Sequence, residues 1–176
     1  MRENEFLRQR YAAILSSTGL ILLLSSIVMA SPLLVLLANP EEAEHGWAFA
    51  LPAGCLLLSG VGLRKAFRPP VNVELTVQEG GIIVLLSWLL VMLVSAWPFA
   101  SVLGLPFSRA LFESVSGWTT TGLSVVDVAA AGRMILIWRS VIQLAGGAGL
   151  AIIMMSAIVG PTGVGISSAE GRGDQL

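Results

Sequence analysis

The sequence predicts an all-α membrane protein: two N-terminal transmembrane helices followed by one helix–pore loop–helix repeat. Three observations carry that expectation. Hydrophobic residues make up 55% of the chain and charged residues 12%, with a mean hydropathy of +0.84, whereas soluble domains carry about 25% charged residues. The apolar residues are gathered into blocks long enough for a helix to cross a hydrocarbon core, which takes about 20 residues. Between the last two blocks lies Phe112–Ser124, a short amphipathic stretch running into Thr119-Thr120-Thr121-Gly122. Non-helical backbone is tolerated at membrane depth only where protein buries it or it lines a watery path.

Residues 1–10 form a polar cytoplasmic N-terminus, with Arg2, Arg8 and Arg10 set against Glu3 and Glu5. No charge appears from Tyr11 to Ala38. That stretch is longer than the roughly 7–15 apolar residues of a signal peptide, and no small-x-small cleavage site closes it. It is therefore a retained span, kinked or ending near Ser31-Pro32. A polar loop from Asn39 to His45 leads to the second span, Gly46 to Leu63, with Trp47 placed as an interfacial anchor. The helix pair covers 11–63.

Arg64, Lys65 and Arg68 open a polar linker over 64–79 that includes Pro69-Pro70. The repeat covers 80–159, its spans running from Gly80 to Phe99 and from about Met134 to Val159, where Gly160-Pro161 stops the helix. Residues 160–176 read as a truncated cytoplasmic tail. Lys and Arg crowd the N-terminus and the 64–79 linker and are absent from the 39–46 loop. The positive-inside rule then puts the N-terminus in the cytoplasm of a multi-pass protein of the plasma (inner) membrane, with the 100–133 segment facing outward. Arg109 and Arg133 run against that count, within a re-entrant region.

Composition also excludes. A net charge of −1 provides no basic field for nucleic acid. Cys55 has no partner cysteine, and His45 stands alone beside Glu44. Neither offers a zinc ligand set or a nucleophile with a base in reach. The expectation is a protein that is not an enzyme, with no cofactor and no transition-metal site.

Ser108 can cap a short helix over 108–117, whose apolar side is Leu111, Phe112 and Val115. Thr119 to Thr121 are β-branched and extended in preference, and Gly122 is free to take positive φ. Such a run lets successive carbonyls face one way and replace a cation's hydration shell without a charged side chain. The C-terminal end of the short helix would aim its negative dipole at the ion path. The same residues also suit an interfacial helix and turn. Glu113 either bonds loop backbone from behind or meets water at the outer mouth. Arg139 and Gln143 share a helix face, where an arginine can snorkel outward. Gly146, Gly147 and Gly149 form a smooth strip suited to close packing.

From about Glu79 to Glu170 the chain resembles the first repeat of the Trk/Ktr/HKT superfamily of potassium transporter membrane subunits. The matching stretches are Ser87–Leu90, Trp97-Pro98-Phe99, Ala110–Gly122 and Trp138–Gly149. The leading helix pair is similar to that of the TrkH branch, and Trp118 stands where the family more often has Phe. The resemblance implies K⁺ uptake through a pore built from four such repeats around an axis. It implies a filter at 119–123, with Thr120, Thr121 and Gly122 coordinating K⁺ and Thr119 and Leu123 secondary, through their backbone. Glu113, Trp118 and Arg139 would support the filter, Arg139 through Glu113 or Asp127. A cytoplasmic nucleotide-binding regulatory subunit is a further implied partner. One loop makes one quarter of a ring, so the chain is expected not to conduct as a monomer. The other expectations are a small homotetrameric cation channel, with copies of the chain supplying the missing loops, and a non-conducting membrane assembly module.

Overall fold

The computed structural model describes residues 2–68 and 75–159. Helix α1 runs Arg2–Ala30 and passes into a 3-10 stretch, Ser31–Leu37. A second 3-10 stretch, Pro40–His45, occupies the first loop. Helices α2 (Trp47–Ala66), α3 (Val77–Ser95), α4 (Trp97–Leu103), α5 (Phe107–Trp118) and α6 (Arg133–Val159) follow. No strand occurs among the described residues. Glu5–Leu37, Trp47–Ala66 and Gln78–Leu103 are long and apolar enough to cross a membrane. This is an all-α membrane protein. Helix α6 takes the place of the fourth predicted span. The middle of the 64–79 linker and the 160–176 tail lie outside the described residues.

Local chemistry moved several boundaries. Helix α1 begins at Arg2, so the expected polar N-terminus is its first turns. It changes pitch at Ser31-Pro32, where proline removes a backbone donor. The third span is broken at Ala96, because Pro98 sits in the first turn of α4. Thr76 and Glu79 form a capping box at the start of α3.

Helices α1 and α2 cross closely at Gly19 and Gly60. A Cβ on Gly60 would stand 2.7 Å from the Gly19 carbonyl oxygen and 2.8 Å from Leu23 Cγ, so only glycine permits this backbone approach. The core beyond it gathers Phe49, Phe99, Ile135, Ile142 and Trp138, all fully buried. Phe49 and Trp138 meet edge to face at 6.1 Å, the arrangement their ring quadrupoles favour.

Polar contacts tie the two ends. At one, Arg10 Nε lies 2.6 Å from Glu79 Oε1 and Arg10 Nη2 donates to Glu79 Oε2 at 2.7 Å, joining α1 to the start of α3. At the other, Glu42 accepts from the backbone N–H groups of Arg133 (3.0 Å) and Met134 (2.9 Å). The first loop thus supplies a carboxylate to the N-terminus of α6, where free donors and the positive helix end favour an anion.

Candidate functional site

The site is the end of α5 and the loop after it, residues 119–126. Helix α5 starts at Phe107 with Pro106 before it and no side-chain cap. Ser108 therefore does not cap; it sits inside the first turn, because Pro106 already fixes the chain entering the helix. The helix is held by its buried polar side. Ser114 Oγ donates to the Met92 carbonyl at 2.7 Å, and the Trp118 indole N–H donates to Ser95 Oγ at 3.0 Å. Trp138 reaches the Ser95 carbonyl at 3.4 Å, so Ser95 joins α3 to both α5 and α6.

The end of α5 differs from the extended run expected of the threonines. Thr119 has φ −87° and ψ 1°, and Thr120 has φ 56°. The Thr120 N–H bonds the Gly117 carbonyl and the Thr121 N–H the Ser116 carbonyl, each at 3.0 Å. These are the paired bonds of a Schellman motif. Its left-handed position holds a threonine, which costs roughly 1–2 kcal/mol relative to a right-handed residue. Closing the helix end on two hydrogen bonds outweighs the β-branched preference for strand. Gly122 takes the second positive φ, 78°.

The result is an exposed loop whose carbonyls fall into two groups. The Thr119 carbonyl accepts the Thr120 hydroxyl at 2.7 Å, and the Leu123 carbonyl accepts the Ser116 hydroxyl at 2.6 Å. Among the described residues, the carbonyls of Thr120, Thr121 and Gly122 accept no hydrogen bond. The Thr119 hydroxyl donates to the Val115 carbonyl at 2.8 Å and lies 2.8 Å from the Thr121 hydroxyl.

Glu113 is 2% exposed and faces this loop from inside the protein. Its Oε1 accepts from the Ser124 hydroxyl at 2.8 Å, the Val126 N–H at 3.1 Å and the Val125 N–H. Its Oε2 is paired with the Arg139 guanidinium. Asp127 instead accepts from the Ala129 N–H at 3.0 Å, within its own turn. A carboxylate removed from water needs its lone pairs satisfied, and here one acid receives three loop donors and a cation. Behind it, Gly146 lies against the Trp118 backbone so closely that any Cβ would overlap its carbonyl group. Gly117 likewise leaves no room beside Ile142.

Sequence reasoning singled out Glu113, Trp118, Arg139 and the threonines, and the structure brings them together. It did not single out Ser95, Ser114, Ser116, Ser124 or Glu42. The available signal was small hydroxyls at the ends of apolar stretches. Only proximity in space says which backbone group each one meets.

Fold and loop together define a class: an all-α membrane protein carrying a non-helical polar loop, buttressed by a short helix, between longer helices. Residues 53–171 match the TrkH family model, described as a cation transport protein, and the chain belongs to that family. It is 33% identical over 150 residues to the Trk system potassium uptake protein TrkG of Escherichia coli strain K12, an alignment covering 84% of this chain and 30% of that protein. Against the Trk system potassium uptake protein TrkH of the same strain, identity is 35% over 158 residues, 88% of this chain and 32% of the relative. The Trk system potassium uptake protein TrkI of Halomonas elongata is 32% identical over 157 residues, 86% and 30% of the two chains. The chain spans about a third of the length of these relatives. These relatives are named as potassium uptake proteins.

Proposed function

We propose that this chain supplies one pore loop of a K⁺ uptake pathway, with the backbone carbonyls of Thr120, Thr121 and Gly122 as its ion ligands. The observation that carries the reading is the division of carbonyls in the loop. Those three have no hydrogen bond to give up, whereas Thr119 and Leu123 already spend a lone pair on a hydroxyl and are secondary ligands. Positive φ at Thr120 and again at Gly122 turns the chain twice within three residues, so the carbonyls of 120–122 are not drawn into a regular hydrogen-bonded run. A dehydrated monovalent cation is matched by such neutral oxygens. The names of the Trk relatives support K⁺ as that cation.

Glu113 and Arg139 are positioning residues in this reading: they hold residues 124–126 and thereby the exit of the loop. Trp118 anchors the end of the pore helix through Ser95. One loop provides a quarter of a closed ring, so the other quarters come from further repeats or further copies. A single copy does not conduct. The N-terminus and the 64–79 linker face the cytoplasm across the inner membrane, where a nucleotide-binding regulatory subunit would dock.

The test is exchange. Residues 79–159 replace the matching segment of a Trk uptake protein in a bacterium lacking K⁺ uptake. Growth at low K⁺ supports the reading, while a correctly inserted chimera that does not take up K⁺ overturns it. The isolated chain is expected to give no growth, and growth of cells in which it stays monomeric would refute the single-loop claim.

A further inference from the structure

Away from the loop, the first turns of α1 and the last turn of α2 enclose a groove of about 1050 Å³. Among the described residues its walls carry Arg8, Lys65 and Arg68 together with Glu5, and its apolar lining includes Tyr11 and Phe67. Elsewhere, Arg10 is paired with Glu79, Arg133 with Glu41 and Arg139 with Glu113. Among the described residues, Arg8, Lys65 and Arg68 make no ion pair. Among the same residues, Arg64 and Arg109 are likewise without an ion pair and lie outside the groove, but Arg8, Lys65 and Arg68 stand together on one concave surface.

The depth of the groove specifies the partner. It lies where two candidate spans, Glu5–Leu37 and Trp47–Ala66, reach their charged ends. That is the headgroup level of a bilayer, where basic pockets between helices take anionic headgroups. A soluble anion would be served by the cations alone. The aromatic and aliphatic lining next to them fits acyl chain and glycerol, which a soluble anion lacks.

We propose that this groove is a binding site for an anionic glycerophospholipid, its phosphate held by Arg8, Lys65 and Arg68 and its upper acyl chain lying along Tyr11 and Phe67. The lipid would bridge α1 and α2 at the end opposite Glu42 and stabilise the N-terminal helix pair. Nothing in this depends on the ion pathway.

The experiment titrates the purified 176-residue chain in neutral detergent with dioleoyl-phosphatidylglycerol, dioleoyl-phosphatidylcholine or inorganic phosphate. It follows retained lipid by native mass spectrometry and the thermal unfolding midpoint. Phosphatidylglycerol should bind selectively and raise the midpoint. Each of R8Q, K65Q and R68Q should weaken it by about five-fold, the size expected for one basic residue near anionic lipid. The triple variant should lose the selectivity, and the single variants decide the matter if it does not fold. Equal binding of phosphatidylcholine would show ordinary snorkelling side chains and overturn the proposal. Displacement of the lipid by inorganic phosphate would make the ligand a soluble anion, and would overturn it too. Full retention in all three single variants would remove these residues from the site.

Discussion

Arg139 on α6, with its side chain 14% exposed, pairs with the buried Glu113 on α5, whose side chain is 1% exposed. The same carboxylate that meets the arginine also gathers the Ser124 hydroxyl and the N–H groups of Val125 and Val126. A long helix and the exit of the candidate loop are therefore joined through one acid.

Breaking that junction from one side should be expensive. Glu113→Ala leaves a guanidinium and two backbone donors without a partner inside the protein, which typically costs about 3–5 kcal/mol. The unfolding midpoint of the single variants E113A and R139A should drop sharply. The double variant E113L/R139M should recover the part of the loss due to the orphaned guanidinium, because an apolar pair leaves no unpaired charge. The Val125 and Val126 N–H groups stay without the Glu113 acceptor. Additive losses in the double variant would deny the coupling.

The glycine strip on α6 should separate by position. Gly146→Ala drives a methyl group into the Trp118 backbone, and overpacking of this kind costs about 1–3 kcal/mol. Gly149→Ala meets nothing nearer than Trp88 Cζ2 at 3.9 Å and should be neutral or slightly stabilising, since alanine is the better helix former. Thermal unfolding in detergent compares the two directly. Equal effects would mean that α6 and α5 are not packed this closely.

At the other end of α6, Glu42→Ala should cost about 1 kcal/mol, the usual size of a lost helix N-terminal acceptor. Glu41→Ala removes only an exposed contact with Arg133 at 3.9 Å, and should change stability by less than about 1 kcal/mol. Hydrogen exchange at the Arg133 and Met134 amides tests the assignment residue by residue: E42A should accelerate both, and E41A neither.

Gly122→Ser asks a side chain to adopt φ 78°, at a cost of roughly 1–2 kcal/mol. In a complete, conducting Trk protein carrying this segment, the loop should shift and K⁺ should be less favoured over Na⁺. Competitive uptake of the two ions measures the ratio, and unchanged selectivity would remove Gly122 from the coordinating set.

Much of this was legible in the chain itself. Composition and block length predicted the membrane class, and proline marked the change of pitch in α1 at Ser31-Pro32. The threonine run misled for a physical reason. Strand preference is a local average, whereas the termination of α5 is decided by orphaned helix carbonyls that capture the N–H groups of Thr120 and Thr121. Ser108 misled similarly, because capping potential counts for nothing once Pro106 has set the entry to the helix.

Patterning along the chain is enough to send the apolar blocks into a bilayer and to leave a polar threonine–glycine loop between two of them. Hydropathy and the conformational freedom of glycine are properties of short stretches. Which carbonyls of that loop stay free was decided only in three dimensions. It depends on Ser116 reaching Leu123, on Thr120 turning back to Thr119, and on Glu113 receiving the Ser124 hydroxyl, the Val125 and Val126 N–H groups and Arg139. Those partners lie 7, 1 and 11–26 positions apart. Except for the adjacent threonines, the packing of α5 between α3 and α6 is what brings each donor to its acceptor.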